Sequence, residues 1–111
     1  MAYDEELAER IRELLAEEHG LTEKKMFGGL AFLARGNMAV AASGQGGLMV
    51  RVDPADTDEL LAAPHAEPFE MRGRAVDGWL RVAAEGIRTK GQLEPWVSRG
   101  LAYARSLPPK R

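Results

Sequence analysis

The stretch Lys24-Lys25-Met26-Phe27-Gly28-Gly29-Leu30-Ala31-Phe32-Leu33 constrains this chain more than any other. Two short apolar runs flank a Gly-Gly pair, and each run has the length of a strand rather than a helix. Glycine tolerates φ > 0, so the backbone can turn sharply between the runs. The pattern then repeats. Glu23–Phe27, Leu30–Arg35, Met38–Ser43 and Leu48–Val52 read as four strands, separated by Gly28-Gly29, Gly36-Asn37 and Gly44-Gln45-Gly46-Gly47. Connections this short force antiparallel neighbours, because a parallel crossover needs a dozen residues or more. Alternation is clearest in the fourth run, where Leu48 and Val50 face one way and Met49 and Arg51 the other.

Helical patterns bracket this meander. From Asp4 to His19, Leu7, Ile11, Leu14 and Leu15 fall on one stripe. Asp4 is placed as the N-cap and Gly20 as the left-handed C-cap. Asp53-Pro54 opens a short helix ending near Ala63, with Asp53 as N-cap and Pro54 as first helical residue. Pro64 to Phe69 reads as a loop. Glu70–Met71 and Gly78–Val82 read as extended pieces around Gly73-Arg74-Ala75. The last helix starts at Thr89, or nearer Glu94 because of Pro95, and shows Leu93, Trp96, Val97, Leu101 and Ala104 on one face. Gly100 weakens its middle, which close packing against the sheet would explain.

The expectation is therefore an α+β two-layer sandwich of order α-β-β-β-β-α-β-α. An antiparallel sheet, the four-strand meander plus one or two further strands, packs against N- and C-terminal helices. A chain of 111 residues has room for one domain, 1–111, with a core over about 4–107 and a basic tail at 108–111.

Chemistry is sparse. With no cysteine, disulfides, thiolate metal sites and cysteine nucleophiles are excluded. His19 and His65 have no accompanying ligand set, so no metal is expected. Ser43, Ser98 and Ser106 lie in no nucleophile elbow. The glycine-rich loop at 44–47 joins strand to strand and lacks the helix N-terminus of a phosphate loop. The expectation is a non-enzymatic domain without a cofactor. The acidic N-terminus and the lack of a long apolar run point to the cytoplasm and away from membranes. Net charge is −2, against general nucleic-acid binding. The charge is uneven: residues 1–23 hold eight acids and two bases, or −6, so the other residues carry +4. Arg72, Arg74, Arg81, Arg88 and Lys90 supply the alternative reading, a basic patch for a small ligand or nucleic acid. Lys24 and Lys25 point to opposite faces of a strand, where they guard an edge or contact a partner.

The run Lys24-Lys25-Met26-Phe27-Gly28-Gly29-Leu30-Ala31-Phe32 resembles the signature of the TfoX (Sxy) N-terminal domain family. Gly36-Asn37-Met38, Leu48-Met49-Val50-Arg51-Val52, Trp96-Val97 and Leu101-Ala102-Tyr103-Ala104-Arg105 are similar to its later motifs. The opening, Met1-Ala2-Tyr3-Asp4-Glu5-Glu6-Leu7-Ala8, is similar to the start of small stand-alone members. The resemblance implies an α+β sandwich. Full-length members regulate natural competence in bacteria, acting in transcription with a cyclic-AMP receptor partner, and carry a second, helical domain that 111 residues do not accommodate. It thus implies a single-domain member that regulates through an unidentified protein partner, which could belong to the transcription machinery, with Lys24, Lys25, Met26, Phe27, Gly28 and Gly29 as the signature and interaction residues. It supplies no catalytic residue. Monomer and homodimer both stand open, since an antiparallel sheet has edges to pair.

Overall fold

The computed structural model describes residues 3–26, 28–44, 46–71 and 73–109. The chain begins with helix α1 (Glu5–Leu14). Strands β1 (Leu21–Met26), β2 (Gly29–Ala34), β3 (Asn37–Ala42) and β4 (Leu48–Arg51) follow. Next come a 3₁₀ turn at Pro54–Asp56, the single turn α2 (Thr57–Leu60), β5 (Ala66–Met71), β6 (Arg74–Val82) and the long helix α3 (Lys90–Ser106). All six strands form one sheet in the order β1-β2-β3-β4-β6-β5, and every pairing is antiparallel. The expected α+β sandwich is the observed fold, and both further strands are present.

Local chemistry sets the helix limits. The Asp4 carboxylate accepts hydrogen bonds from the N–H groups of Glu6 and Leu7, as an N-cap should. Helix α1 ends at Leu14, however, and not at His19. Glu17 and Glu18 would load the negative end of the helix dipole with like charge. Instead Arg105 of α3 holds the segment after α1, pairing with Glu18 at 2.6 Å and donating to the His19 carbonyl at 3.1 Å. Gly20 does adopt positive φ, but as the bend into β1 rather than as a cap.

Helix α3 starts at Lys90. Thr89 and Gln92 form a reciprocal capping box, and Pro95 is carried within the helix near its start. Asp53 caps the 3₁₀ turn through the Ala55 N–H. The helix expected to reach Ala63 stops after Leu60. There the buried Thr57 hydroxyl accepts from the Gly78 N–H at 2.8 Å, and the chain must turn to enter β5.

Other sequence-based boundaries move as well: β1 starts at Leu21 and not at Glu23, and β6 at Arg74 and not at Gly78. The two-residue loop of the β2–β3 hairpin is Arg35-Gly36, both with positive φ, and Asn37 is already the first residue of β3. That is the backbone of a type I′ turn, whose twist suits a hairpin. Gly29 belongs to β2 and pairs with Met26. A Cβ on Gly29 would lie 2.3 Å from the Ala42 carbonyl oxygen, so close strand approach, not turning, demands glycine there. Finally, the expected loop from Pro64 to Phe69 contains most of β5. Pro68 lacks an N–H, which an edge strand tolerates.

All three helices cover one face of the sheet. Leu7, Ile11, Leu93, Val97 and Ala104 pack on Phe32, Val40, Leu48, Val50, Leu80 and Val82 in a single core. Each fully buried Leu, Ile or Val there contributes ~1.5–3 kcal/mol. Gly100 lets α3 close onto the sheet, because a Cβ would meet the Ala39 carbonyl oxygen at 2.4 Å.

Candidate functional site

The opposite face of the sheet carries no helix among the described residues. Strand register assigns its side chains directly. Pairings Lys24↔Ala31, Ala31↔Ala41, Ala41↔Met49, Met49↔Arg81 and Arg81↔Glu67 form one row across all six strands. The adjacent row, Lys25, Leu30, Ala42, Leu48, Val82 and Ala66, faces the helices. On the helix-free side Ala31, Met38, Ala41 and Met49 form a second apolar cluster, with Met26, Leu33, Phe69 and Trp79 partly buried around it.

This face is curled rather than flat. Met26 of one edge strand and Glu67, Phe69 and Glu70 of the other line the same cleft, of about 440 Å³. Between the edges of a flat six-stranded sheet roughly 24 Å would separate them. Two irregularities supply the curl. The β2–β3 register shifts at Phe32/Leu33, and the β5–β6 register shifts at Pro68/Glu70. Bulges of this kind increase local twist and bend the strand. Ala41 and Met49 form the floor, while Glu67, Glu70 and Arg81 supply the charged wall. Arg81 reaches across to donate to the Gly46 carbonyl at 3.0 Å. At the far end, Arg51 lies between two rings, 5.1 Å from the centre of Trp79 and 5.7 Å from that of Tyr103. The Phe69 and Trp79 rings meet at 6.4 Å, tilted by 48°.

The signature residues divide between the two faces. Met26 and Gly29 line the cleft, and Lys24 stands at the β1 end of its floor row. Lys25 stands on the helix-covered side, opposite Leu30. Gly28 turns with φ of +78° beside Gly44. Phe27 lies outside the described residues. Two of the basic residues stand far apart along one strand. Arg74 opens β6 and Arg81 nearly closes it, so up to roughly 23 Å of extended chain separates them. Arg88 and Lys90 are exposed at the start of α3, and Arg72 lies outside the described residues. His65 occupies an exposed turn at positive φ, and His19 is exposed after α1.

The edges also bear on assembly. Thr22, Glu23, Lys24 and Lys25 make the middle of β1 an exposed polar edge, and charges on an edge strand blunt its pairing with another chain. Two copies joined antiparallel through β1 about a dyad, with the fullest overlap, place either Glu23 opposite Glu23 or Lys24 opposite Lys24. Like charges in directly opposed positions are destabilising. At the other edge, Pro68 removes a donor from β5. Both edges therefore resist strand addition.

A family model, that of the TfoX N-terminal domain, matches residues 13–104. The chain belongs to the TfoX N-terminal domain family. The match runs from the end of α1 to the last turns of α3, so the whole sheet and the helix-free face lie inside the TfoX domain. Comparison with curated proteins finds no match to this TfoX domain. No helix among its described residues is long and apolar enough to cross a membrane.

Sequence reasoning misses Met38, Met49, Glu67, Phe69, Glu70 and Trp79 as site residues. A usable signal is present in the phase of alternation, since Met49 falls on the opposite phase from Leu48 and Val50 of the core. Phe69 and the two glutamates carry no such signal, because the composition of their strand is that of a loop.

Proposed function

We propose that this chain is a non-enzymatic regulatory domain that recognises another protein with the helix-free face of its sheet. One observation carries the reading: the partly buried side chains of Met26, Leu33, Phe69 and Trp79 border a floor of Ala31, Met38, Ala41 and Met49, itself 1–8% exposed, on the side of the sheet that no described helix covers. A concave, mostly apolar cleft with a few charged groups at its wall is a default place for binding. Methionine suits the role because its unbranched, polarizable side chain repacks around a partner. Membership of the TfoX family supports a regulatory role, and makes a bacterial, cytoplasmic component of the transcription machinery the first partner to seek. The alternative, a basic patch for a small ligand or nucleic acid, has less to stand on, because Arg74 and Arg81 lie at opposite ends of β6.

The test is affinity capture from a nuclease-treated native extract with three variants. Met49→Glu places a charge in the floor and should abolish capture. Lys24→Glu, at the rim of the face, should reduce it. Lys25→Glu, on the other side of the same strand, should leave it unchanged. The lysine variants alter exposed side chains and leave the core intact. Equal recovery with Lys24→Glu and Lys25→Glu, together with full recovery by a folded Met49→Glu protein, contradicts the reading.

A further inference from the structure

Resting on that reading, we propose that the occupant of the helix-free face is a single amphipathic α-helix of a partner protein. Its apolar side rests on the methionine floor, and its Lys or Arg flank lies against Glu67 and Glu70. Three observations lead there.

The first is the backbone. A segment laid on a sheet face, rather than along an edge, receives no ladder hydrogen bonds. It must bring its own N–H and C=O groups already satisfied, as a helix does and an isolated strand does not. Strand addition is disfavoured at both edges by Lys24, Glu23 and Pro68.

The second is side-chain size and softness. Ala31 and Ala41 sit centrally in the floor row, on β2 and β3, with Met49 beside them on β4. Small residues at the centre of a sheet admit a helix closely, just as Gly100 admits α3 on the other face. Met26, Met38 and Met49 all belong to the helix-free side, whereas the helix-covered core contains no methionine among its described buried members. The permanent helices pack on a sheet face of leucine, valine, phenylalanine and alanine, residues of defined shape. The open face presents the residue type that accommodates an interchangeable helix.

The third is charge. The wall carries two exposed carboxylates, Glu67 and Glu70, against one cation, Arg81, whose guanidinium also donates to the Gly46 carbonyl, and the β1 rim carries Lys24. The wall selects a basic flank on the partner helix, and the rim selects an acidic residue on its far side. Helix α1 of a second copy fits poorly, because its outer surface presents Glu5, Glu9 and Glu13 and would meet Glu67 and Glu70 as like charges.

The test labels the methionine methyl groups of the full chain with carbon-13 and follows them by NMR. The titrants are synthetic peptides of about 18 residues, long enough to form a helix. A Leu/Lys peptide has leucine at i, i+3, i+4 and i+7. A Leu/Glu peptide has the same leucine spacing, and a third peptide scrambles the Leu/Lys composition. The Leu/Lys peptide should shift the Met26, Met38 and Met49 methyls saturably, and the scrambled one should not. In the double variant Glu67→Gln/Glu70→Gln, which removes both exposed charges and sets no like charge opposite Arg81, affinity for the Leu/Lys peptide should fall several-fold. Equal seating of the Leu/Glu peptide on the methionines overturns the charge assignment while leaving the docking face in place. Binding seen by calorimetry that moves none of the Met26, Met38 and Met49 methyls, or no binding up to about 1 mM, overturns the helix occupant. The Met49→Glu capture comparison then decides separately whether the face is used at all.

Discussion

Gly100 stands in the middle of a 17-residue helix, where alanine would be favoured by about 1 kcal/mol on propensity alone. The contact decides against alanine. A Cβ would lie 2.4 Å from the Ala39 carbonyl oxygen and 2.9 Å from Val40 Cγ1, and the first of these is backbone in the sheet. Gly100→Ala should therefore destabilise the protein by ~1–3 kcal/mol despite the propensity gain. A lower denaturant midpoint would show it, and a raised midpoint would mean that α3 lifts freely from β3. This close approach is legible in the sequence, because a glycine on the apolar face of a helix costs stability unless a neighbour needs the space. The turn of the β2–β3 hairpin is less legible. Gly36-Asn37 has the composition of a two-residue loop, yet Asn37 is buried and donates its side-chain amide to the Pro108 carbonyl at 2.9 Å. That tertiary contact, 71 residues away in sequence, belongs with the register that makes Arg35 take positive φ.

Between elements, the clearest polar tie joins α1 to β1. Arg12 donates to both carboxylate oxygens of Glu23 at 2.7 Å and is also paired with Glu9. The hydrogen bonds from Arg12 hold the Glu23 carboxyl below its usual value of 4.5. A carboxylate depressed in the folded state adds stability above its unfolded pKa, and that stability is lost as pH falls through the folded value. The loss therefore occurs below about pH 4.5, on the acid side. Solvent screens this exposed pair, so its contribution is small. Glu23→Gln should lower stability slightly at neutral pH and flatten the acid limb of the profile. An unchanged acid limb, measured by thermal unfolding from about pH 3 to 7, would mean that the α1–β1 tie contributes nothing. Element types are readable wherever apolar periodicity is strong, as in α1, the meander and α3. Strand β5 is readable only at its end, Glu70–Met71, because Pro64, Pro68 and Glu67 before it are what a loop looks like. Only its place at the edge of the sheet, beside β6, makes that composition acceptable in a strand.

Across the molecule, one sheet separates two unlike surfaces. One carries the permanent helices on a core of leucine, isoleucine, valine, alanine and two aromatics; the other carries methionine, alanine and a half-buried aromatic pair with no described helix above it. The fold class follows from local patterns. The candidate site does not, because it depends on the strand order: β6 pairs with β4, β5 lies outside it, and the curl then brings β5 round to Met26 of β1. No local window of sequence encodes those neighbours. Docking of a partner on the helix-free face is the claim on which the functional reading stands or falls. Photo-crosslinking in native extract can decide it, with benzoylphenylalanine replacing Trp79 on that face in one sample and Glu13 on the exposed side of α1 in another. Position 79 should yield a discrete crosslinked protein and position 13 none. Crosslinks from position 13 alone would place the partner on the acidic helix and contradict docking on the sheet.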